Sequence, residues 1–339
     1  MLKKLAIGLV TLIALLAVVG FLLPDDAHVE RSAVINAPEC TVFAQLTDFR
    51  RFNEWSPWVG IDPNTQYTFS DPSYGPGATM SWTSDHRNVG SGTQEIKSVD
   101  PYKEVQVALD FGDQGQADAF YRLSPEGEGT RITWGFDTSF EGNILGRYFG
   151  LFMDSMVGAS YDEGLAKLKA IAEGLPQTDW CDRDIEIVDV GSRWIVGTRG
   201  ESGTTPEEIG PALGAAYGRL TGFLGKHKLE AAGLPLVINE AWGDDGFRFL
   251  AGLPLASDPG IAAEEGEVLV QELAATQAVR IVHQGAYAGL PDTYEALAAY
   301  AAARGLEWPE SGTWEEYLSD PGETPEDQLL THVFLPVGG

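Results

Sequence analysis

The stretch Gly312–Val337, GTWEEYLSDPGETPEDQLLTHVFLPV, determines how the C-terminal half of this chain is organised. It predicts two strands joined by a polar turn, because apolar and aromatic residues flank a run of turn-forming residues. Two glutamates stand inside the first strand, where sheet propensity disfavours them. Side chains alternate across a strand, so Glu315 and Tyr317 share one face while Trp314 and Glu316 share the other. One glutamate should therefore point inward.

The same order of elements occurs twice in the C-terminal half. The first half contains a strand (IEIVDVGSRWIVGTRG), a helix (TPEEIGPALGAAYGRLTGFLGKHKL) and two strands (LPLVINEAW and FRFLAGLPL). The second contains a strand (VLVQELAATQAVRIVHQG), a helix (LPDTYEALAAYAAARGL) and the two strands quoted above. Each half is thus a βαββ unit. Two such units predict one sheet with both helices on one face and a cleft along the pseudo-twofold axis.

The N-terminal half is predicted to be a separate domain. The chain has 339 residues, which is comfortable for two cores. A Gly-, Pro- and Asp-rich break predicts a linker at 174–184, between domains at 28–173 and 185–339. The first domain begins with a strand and a short helix and continues with several short strands. It closes with the amphipathic helix LGRYFGLFMDSMVGASYDEGLAKLKAIAE, which we expect to pack on the sheet.

Residues 1–24, MLKKLAIGLVTLIALLAVVGFLLP, form a membrane-directed segment, either an anchor or a signal sequence. An uncharged run extends from Leu5 to Leu23, about 19 residues, and a helix needs ~20 to cross the hydrocarbon core. The run lacks the A-x-A-like exit of a cleaved signal peptide, so we favour an uncleaved single-pass anchor. Lys3 and Lys4 precede the run and predict a cytoplasmic N-terminus, with both domains in a periplasm or outside the cell.

The two cysteines suit an oxidising compartment without requiring one. A disulfide between Cys40 and Cys181 that clamps the two domains is one interpretation, and two unlinked thiols are the favoured one. The sequence contains no C-x-x-C and no thiol with a motif-placed histidine. We therefore predict neither a metal site nor a cofactor.

The charge of the chain argues against a nucleic-acid partner. The formal net charge is −28, from 22 Lys and Arg against 50 Asp and Glu. Affinity for phosphate backbones depends on cationic side chains that displace counterions, and this chain has few of them. We interpret the acidic excess as a solvated surface.

The first domain resembles the START/polyketide-cyclase-like (SRPBCC) helix-grip proteins from Val29 to about Glu173. The resemblance rests on INAPECTVFAQLTDFRRFNEWSPW, on YGPGATMSW and on the long C-terminal helix. It implies a curved antiparallel sheet around that helix, often with an apolar cavity for lipids, sterols or polyketides. These motifs are structural, so they identify neither a catalytic residue nor an occupant of the cavity.

The second domain, about Ile185 to Val337, resembles the GyrI-like small-molecule-binding domain, which is also the effector-binding half of multidrug-responsive transcription regulators. The pattern consists of Gly-x-Tyr, Glu-x-Tyr-x-x-Asp-Pro and Thr-x-x-x-x-Pro. The matching residues are Gly285, Tyr287, Glu315, Tyr317, Asp320, Pro321, Thr331 and Pro336. The resemblance implies that Glu315 lies in an aromatic-lined pocket for lipophilic, often cationic, ligands. No helix-turn-helix precedes the domain, so the regulator role does not transfer.

We predict a ligand site in which aromatic side chains surround one carboxylate. Its candidate residues are Glu315, Tyr317, Tyr287, Trp314, His283 and Trp242. A buried carboxylate is costly unless a cation, a base or water meets it, and aromatic rings attract organic cations. The position aligned with Glu315 in the first half is about Leu236, so the cleft would contain one acid. In the alternatives, both glutamates face solvent on an edge strand, and His283 is a core or turn residue.

The patterns together predict an α+β chain, a helix-grip domain with a curved antiparallel sheet around a long C-terminal helix, followed by a duplicated βαββ GyrI-like domain. The favoured function is binding, sequestration or sensing of lipophilic small molecules by a membrane-anchored protein. In one alternative the chain is a hydrolase or cyclase acting in the cleft, with Glu315 as candidate catalytic residue, or in the helix-grip cavity. In a second it is a protein-interaction adaptor with unknown partners. Binding is favoured, because H-E-x-x-H, Walker and G-x-G-x-x-G motifs are missing from suitable contexts.

The predicted topology can be tested by proteolysis of intact spheroplasts. Because Lys3 and Lys4 should hold the N-terminus in the cytoplasm, protease added outside should digest the bulk of the chain. Immunoblotting with an antibody to the C-terminal domain measures the loss, and a cytoplasmic marker protein should survive. Protection of this chain until the cells are lysed would contradict the topology.

Overall fold

The computed structural model describes residues 2–261, 264–265 and 267–337, so the predicted chain limits at residues 1 and 339 lie outside the described residues. The chain divides into two compact units, with the main boundary between Cys181 and Asp182; residues 303–305 group with the first unit. The predicted class, α+β with two domains, is confirmed by two antiparallel sheets and a long helix after the first sheet.

The N-terminal helix α1 (Leu2–Leu22) is apolar over most of its surface. From Leu5 to Leu22 its large side chains are exposed, because they have no protein core to pack against. By length and composition, Lys3–Leu22 could cross a membrane. The close contact of α1 with the rest of the first unit is made by its last two turns.

The first unit contains a seven-stranded antiparallel sheet in the order β1-β7-β6-β5-β4-β3-β2. Its strands are β1 (Asp26–Ile35), β2 (Gln66–Phe69), β3 (Thr79–Thr83), β4 (Ser91–Asp100), β5 (Glu104–Asp110), β6 (Gln116–Glu126) and β7 (Gly129–Ser139). Its helices after α1 are α2 (Glu39–Leu46), α3 (Phe49–Trp55) and the 31-residue α4 (Ile144–Gly174). Every strand neighbours the next in the chain except β1, which closes the sheet beside β7.

Aromatic side chains occupy the space between α4 and this sheet. Tyr161 of α4 stacks on Trp134 of β7 with ring centroids 3.7 Å apart, and Trp55 meets Trp134 edge-on at 5.2 Å. A Cβ atom at Gly164 would come within 2.8 Å of the Trp134 ring, so a glycine is needed where helix and sheet approach this closely. Packed rings therefore form the centre of the core in this region, together with aliphatic side chains such as Leu165 and Leu168.

A disulfide joins Cys40 and Cys181, whose Cα atoms are 5.1 Å apart although 141 residues separate them in sequence. The favoured interpretation of two unlinked thiols was therefore wrong. Both cysteines belong to the first unit, so the bond ties the start of α2 to the segment that follows α4. Local sequence patterns cannot predict a bond between two cysteines so far apart in the chain, because this pairing depends on how the first unit folds.

The second unit contains a nine-stranded sheet in the order β12-β13-β9-β11-β10-β15-β16-β14-β8. Its strands are β8 (Ile185–Val190), β9 (Arg193–Ser202), β10 (Leu236–Gly243), β11 (Gly246–Leu255), β12 (Glu264–Glu265), β13 (Val268–Leu273), β14 (Thr276–Gln284), β15 (Trp314–Tyr317) and β16 (Leu330–Val337). Its helices are α5 (Pro206–His227) and α6 (Leu290–Arg304). The units β9-α5-β10-β11 and β14-α6-β15-β16 repeat one plan and meet where β10 pairs with β15.

The long first strand predicted for each half is two strands in the structure. A short bend at Gly191 and Ser192 separates β8 from β9, and Ala274 and Ala275 separate β13 from β14. After each bend the strand changes partners, so that β8 pairs with β14 while β13 pairs with β9. Each half thus contributes its first strand to the edge of the other half. Because only two residues join β8 to β9 and β13 to β14, the two ends of this wide sheet must lie close together, as in a curled sheet.

The disulfide should contribute to the stability of the first unit. Reduction removes a cross-link that closes a long loop in the unfolded chain, so we expect the free energy of unfolding to fall by about 2 to 4 kcal/mol. Differential scanning calorimetry with and without dithiothreitol measures the change. The variant Cys40→Ser/Cys181→Ser is the control and should melt at the lower temperature in both conditions. Identical melting of the oxidised and reduced wild type would contradict a stabilising role.

Candidate functional site

Strand β15 lies in the middle of its sheet, between β10 and β16, so the interpretation of solvent-facing glutamates on an edge strand was wrong. Glu315 is 9% exposed and pairs across the sheet with Val237 and Val333. Glu316 points to the other face, where its side chain is 12% exposed and forms an ion pair with Arg193 at 2.6 Å. The residue opposite Glu315 on β10 is Val237, while the alignment of Glu315 with about Leu236 in the first repeat stays a prediction.

Two tyrosines hold the carboxylate of Glu315. The Tyr294 hydroxyl, from α6, donates to Oε1 at 2.8 Å, and the Tyr317 hydroxyl, two residues along β15, donates to Oε2 at 2.6 Å. Asn239 of β10 donates through Nδ2 to the Tyr294 hydroxyl oxygen at 2.9 Å. Because that oxygen accepts from Asn239, the Tyr294 proton is directed toward Glu315. Side chains from both halves of the sheet and from α6 thus converge on one carboxylate.

Burial dominates the electrostatics of this cluster. Desolvation raises the pKa of Glu315 above its usual value, although the hydrogen bonds from Tyr317 and Tyr294 and the charge of His283 act in the opposite direction. Burial and the neighbouring Glu315 charge raise the pKa of Tyr294 and of Tyr317 well above the usual tyrosine value. The phenols therefore stay protonated at neutral pH and act as hydrogen-bond donors.

Two polar atoms near Glu315 are buried without a hydrogen-bond partner among the residues that the structure describes. They are Oδ1 of Asn239 and Oγ1 of Thr331. Thr331 lies opposite Tyr317 on β16, and paired residues project to the same side of a sheet. Buried polar groups are normally satisfied, so each of these atoms has unused capacity to bond a ligand or water.

Two further tyrosines lie around the cluster. Tyr287, which precedes α6, is half-buried and meets the Tyr317 ring edge-on with centroids 5.6 Å apart. Tyr217 of α5 donates to the Leu236 carbonyl oxygen at 2.9 Å, and its pKa is raised by burial and by the charge of Glu315. Both helices thus contribute aromatic side chains to the side of the sheet that Glu315 faces. We call Glu315, Tyr217, Tyr287, Tyr294, Tyr317 and Asn239 the Glu315 cluster.

His283 is a buried residue with both ring nitrogens occupied. Its Nε2 lies 3.0 Å from the Ala286 carbonyl oxygen, which can only accept, so Nε2 carries the proton. Nδ1 then accepts from the Thr293 hydroxyl at 2.7 Å when the ring is neutral. These two bonds fix the connection between β14 and α6. The geometry matches the alternative of a core or turn histidine, while any contact with a ligand stays a prediction.

The two predicted tryptophans lie apart from the Glu315 cluster. Trp314 projects to the opposite face, stacks on Phe334 at 4.6 Å and donates from Nε1 to Glu316 at 3.1 Å. Trp242, near the end of β10, is 60% exposed and contacts Phe247 with ring centroids 5.2 Å apart. The structure thus brings together Glu315, Tyr317, Tyr287 and, nearby, His283. A ligand contact of Trp314 would have to form on the other face.

That other face has a cavity of its own, with a volume of about 240 Å³. Its lining is mainly apolar and includes Val190, Arg193, Ile238, Leu273, Trp314 and Pro336. Among the described residues that line it, only Arg193 is charged, and Arg193 is already paired with Glu316. This cavity therefore presents an apolar surface in which the charges are compensated, whereas Glu315 has no cationic partner in its hydrogen bonds.

Sequence reasoning missed Tyr294, Asn239 and Tyr217. One signal was available, because Tyr294 follows Tyr287 by seven residues, which is two helical turns. Asn239 shares the strand face of Val237 by simple alternation, but nothing in the sequence pairs β10 with β15. Tyr217 lies far from Glu315 along the chain. These three residues take part in the site only because the two repeats pack together in one sheet.

Comparisons with known proteins agree with this division of the chain. Residues 26–173 match the family described as "Polyketide cyclase / dehydrase and lipid transport", and residues 183–338 match the "GyrI-like small molecule binding domain". No curated protein matches the chain.

Solved structures cover mainly one part of the chain. The C-terminal domain of EcmrR is 14% identical, over 46% of this chain and 98% of that one, with a TM-score of 0.38. A hydrolase from Listeria innocua is 16% identical, and the match covers 46% of this chain and 92% of the hydrolase, with a TM-score of 0.35. EcmrR in a complex with DNA is 12% identical, and the match covers 63% of this chain and 87% of EcmrR, with a TM-score of 0.38. At these values the similarities carry no argument about function.

The raised pKa of Glu315 predicts that its ionisation lowers the stability of the folded protein. The substitution Glu315→Gln should remove this pH-dependent loss of stability. Burial favours the protonated form of Glu315, so ionisation of this group destabilises the folded state. Its contribution to the free energy of unfolding is fully present below its unfolded pKa and is lost as the pH rises through its folded pKa. Glu315→Gln should therefore gain stability relative to wild type as the pH rises from acidic to neutral. Urea denaturation over a pH series measures the difference.

The matched control for this experiment is Glu323→Gln, because Glu323 is exposed in the turn that follows β15. Its stability should follow that of the wild type across the series. A difference between Glu315→Gln and wild type that shrinks with rising pH would show that hydrogen bonds to the charged form outweigh its burial.

Proposed function

Because this chain joins a domain of the polyketide cyclase/dehydrase and lipid transport family to a GyrI-like small-molecule-binding domain, we propose that it is a membrane-anchored protein that binds lipophilic small molecules. Organic cations are the preferred ligands, and the Glu315 cluster is their site. The protein binds, sequesters or senses these ligands without transforming them.

The observation that carries this proposal is the buried carboxylate of Glu315, whose hydrogen bonds from the described residues all come from neutral groups. Two phenols donate to it, and burial still raises its pKa. An organic cation would supply the opposite charge, and in a desolvated site such a pair is far stronger than in water. The surrounding tyrosine rings attract a cation through their faces, with ~0.5 to 2 kcal/mol per ring. Oδ1 of Asn239 could accept from an N–H group of the ligand.

The proposed location is outside the cytoplasm, with α1 as an uncleaved anchor. The exposed apolar surface of α1 supports the anchor, and the lysines before it support an N-in topology. The Cys40–Cys181 disulfide supports an oxidising compartment. DNA or RNA is not a proposed partner, since the net charge of −28 opposes binding to phosphate backbones.

One observation favours hydrolysis as a second candidate function. A glutamate whose pKa is raised by burial is suited to act as a general base, and the adjacent phenols could donate to a developing oxyanion. The small hydrophobic substrate would then lie against the Glu315 cluster. Appearance of product in proportion to protein concentration would distinguish turnover from binding.

Binding of a lipophilic cation should depend on the charge of Glu315. Isothermal titration calorimetry with tetraphenylphosphonium and with the neutral triphenylphosphine oxide measures both affinities in wild type and Glu315→Gln. Removing one member of a desolvated charge pair typically costs about 2 to 5 kcal/mol, so the Kd for the phosphonium should rise at least about 30-fold. The Kd for the neutral oxide should change much less.

The matched control is Glu316→Gln, which is the same chemical change one residue along on the opposite face. It should leave both affinities nearly unchanged, provided that its thermal melting shows a folded protein after loss of the Arg193 ion pair. Equal losses for the cation and the neutral ligand in Glu315→Gln would contradict charge recognition. A larger loss in Glu316→Gln would move the site to the face of Trp314.

A further inference from the structure

The first four turns of α4 expose a continuous apolar stripe. Its members are at least half exposed, Phe149 least at 50%, and they are Leu145, Phe149, Phe152 and Met156. Their spacing of four, three and four residues places them on one side of the helix. We call these four residues the α4 stripe. Exposed single apolar residues are ordinary, but four in a line on one helix mark an interaction surface.

The α4 stripe is not the side of the helix that packs on the sheet. That side is formed by Met153, Tyr161 and Leu165, which are buried in the core of the first unit. Further along the same side of the helix lie Glu163 and Lys167, which form an ion pair at 2.8 Å. The apolar surface is therefore confined to the beginning of α4.

The beginning of α4 also packs against α1. The Tyr148 hydroxyl donates to the Leu16 carbonyl oxygen at 2.6 Å. Arg147 donates from one NH group to the carbonyl oxygens of Phe21 at 3.1 Å and Leu23 at 3.2 Å. A Cβ atom at Gly20 would come within 2.3 Å of the Ile144 side chain, so the two helices approach as closely as small residues permit.

These contacts set the depth of α4 in any bilayer that α1 crosses. The apolar run of α1 is about 28 Å long as a helix, so it has no length to spare across a core of about 30 Å. Leu16 precedes Leu22 by six residues, hence it lies roughly 9 Å inside the end of the helix. Tyr148, bonded to Leu16, must then reach the hydrocarbon. Arg147 and its partner Asp25, 3.1 Å apart, would mark the polar boundary.

We propose that the first four turns of α4 lie in the outer interface of the same bilayer that α1 spans, with the α4 stripe against the lipid chains. The proposal rests on the anchoring proposed above. Burial of these side chains removes apolar area from water, which is favourable and needs no specific lipid. The helix-grip domain is thereby held on the membrane by two helices, rather than tethered to it by one.

The test uses the full chain in phosphatidylcholine vesicles, with one added cysteine for each variant. Leu145→Cys and Phe152→Cys report on the α4 stripe, Val10→Cys reports on α1, and Lys167→Cys is the control further along the same side of α4. A nitrobenzoxadiazole label is attached without reductant, so that the native disulfide stays closed. Spin-labelled lipids with a shallow or a deep nitroxide then quench the labels they can reach.

We expect the shallow nitroxide to quench the labels at Leu145 and Phe152 by at least half, and the deep nitroxide to quench the label at Val10. The label at Lys167 should keep nearly all of its emission with both lipids. Leu145, Phe152 and Val10 are exposed and Lys167 is partly exposed, so the fold should persist, and thermal melting of each labelled variant checks it.

Quenching at Val10 without quenching at Leu145 and Phe152 would overturn the proposal and leave the anchor intact. No quenching at Val10 would overturn the anchor itself, which is part of the proposed function. Blue-shifted emission at Phe152 that no spin-labelled lipid quenches would mean that a protein surface, such as a second copy of this chain, covers the stripe. That outcome would also overturn the proposal.

Discussion

The pairing of β10 with β15 is the constraint on which the second unit depends. It joins two repeated halves into one sheet, and its register sets Glu315 directly opposite Val237. Because paired residues project to the same side, Asn239 of the first half then faces the same side as Glu315 and Tyr317 of the second. The bond from Asn239 to Tyr294, and that from Tyr294 to Glu315, follow from this register. A shift of one residue would move Glu315 to the other face.

The two adjacent glutamates of β15 are stabilised by different means. Glu316 is compensated by the guanidinium of Arg193 and by the indole N–H of Trp314, so its charge has a partner within the sheet. Glu315 receives hydrogen bonds from phenols and lacks such a partner in those bonds. An unpaired acid in a buried position is costly, and such positions are found mainly at functional sites. This contrast is why we propose Glu315, rather than its neighbour, as the contact for a ligand.

The first unit follows a different design, in which a helix closes over a sheet through packed aromatic rings. Tyr161 on Trp134 and the close approach at Gly164 bring the later turns of α4 against the sheet. The same helix begins outside this core, where its side chains meet α1 and solvent. One continuous helix of 31 residues thus links the aromatic core to the surface beside α1. A rigid helix transmits the position of one end to the other.

Sequence alone determined the features that depend on neighbouring residues. The apolar run of α1, the repeated order of elements and the separation of Glu315 from Glu316 all follow from local periodicity or length. Resemblance to known families added the two domain types and the choice of Glu315. Strand alternation also places Trp314 on the face opposite Glu315, which disagrees with the inclusion of Trp314 among the candidate ligand residues.

Only the tertiary structure decided which distant segments meet. Three features join residues far apart in the chain. They are the Cys40–Cys181 bond, the exchange of β8 and β13 between the halves, and the grouping of Tyr294, Asn239 and Tyr217 around Glu315. Such contacts depend on sheet twist, register and packing of the whole unit, and no short window of sequence contains them. The carboxylate could therefore be found from the pattern of one strand, whereas its partners could not.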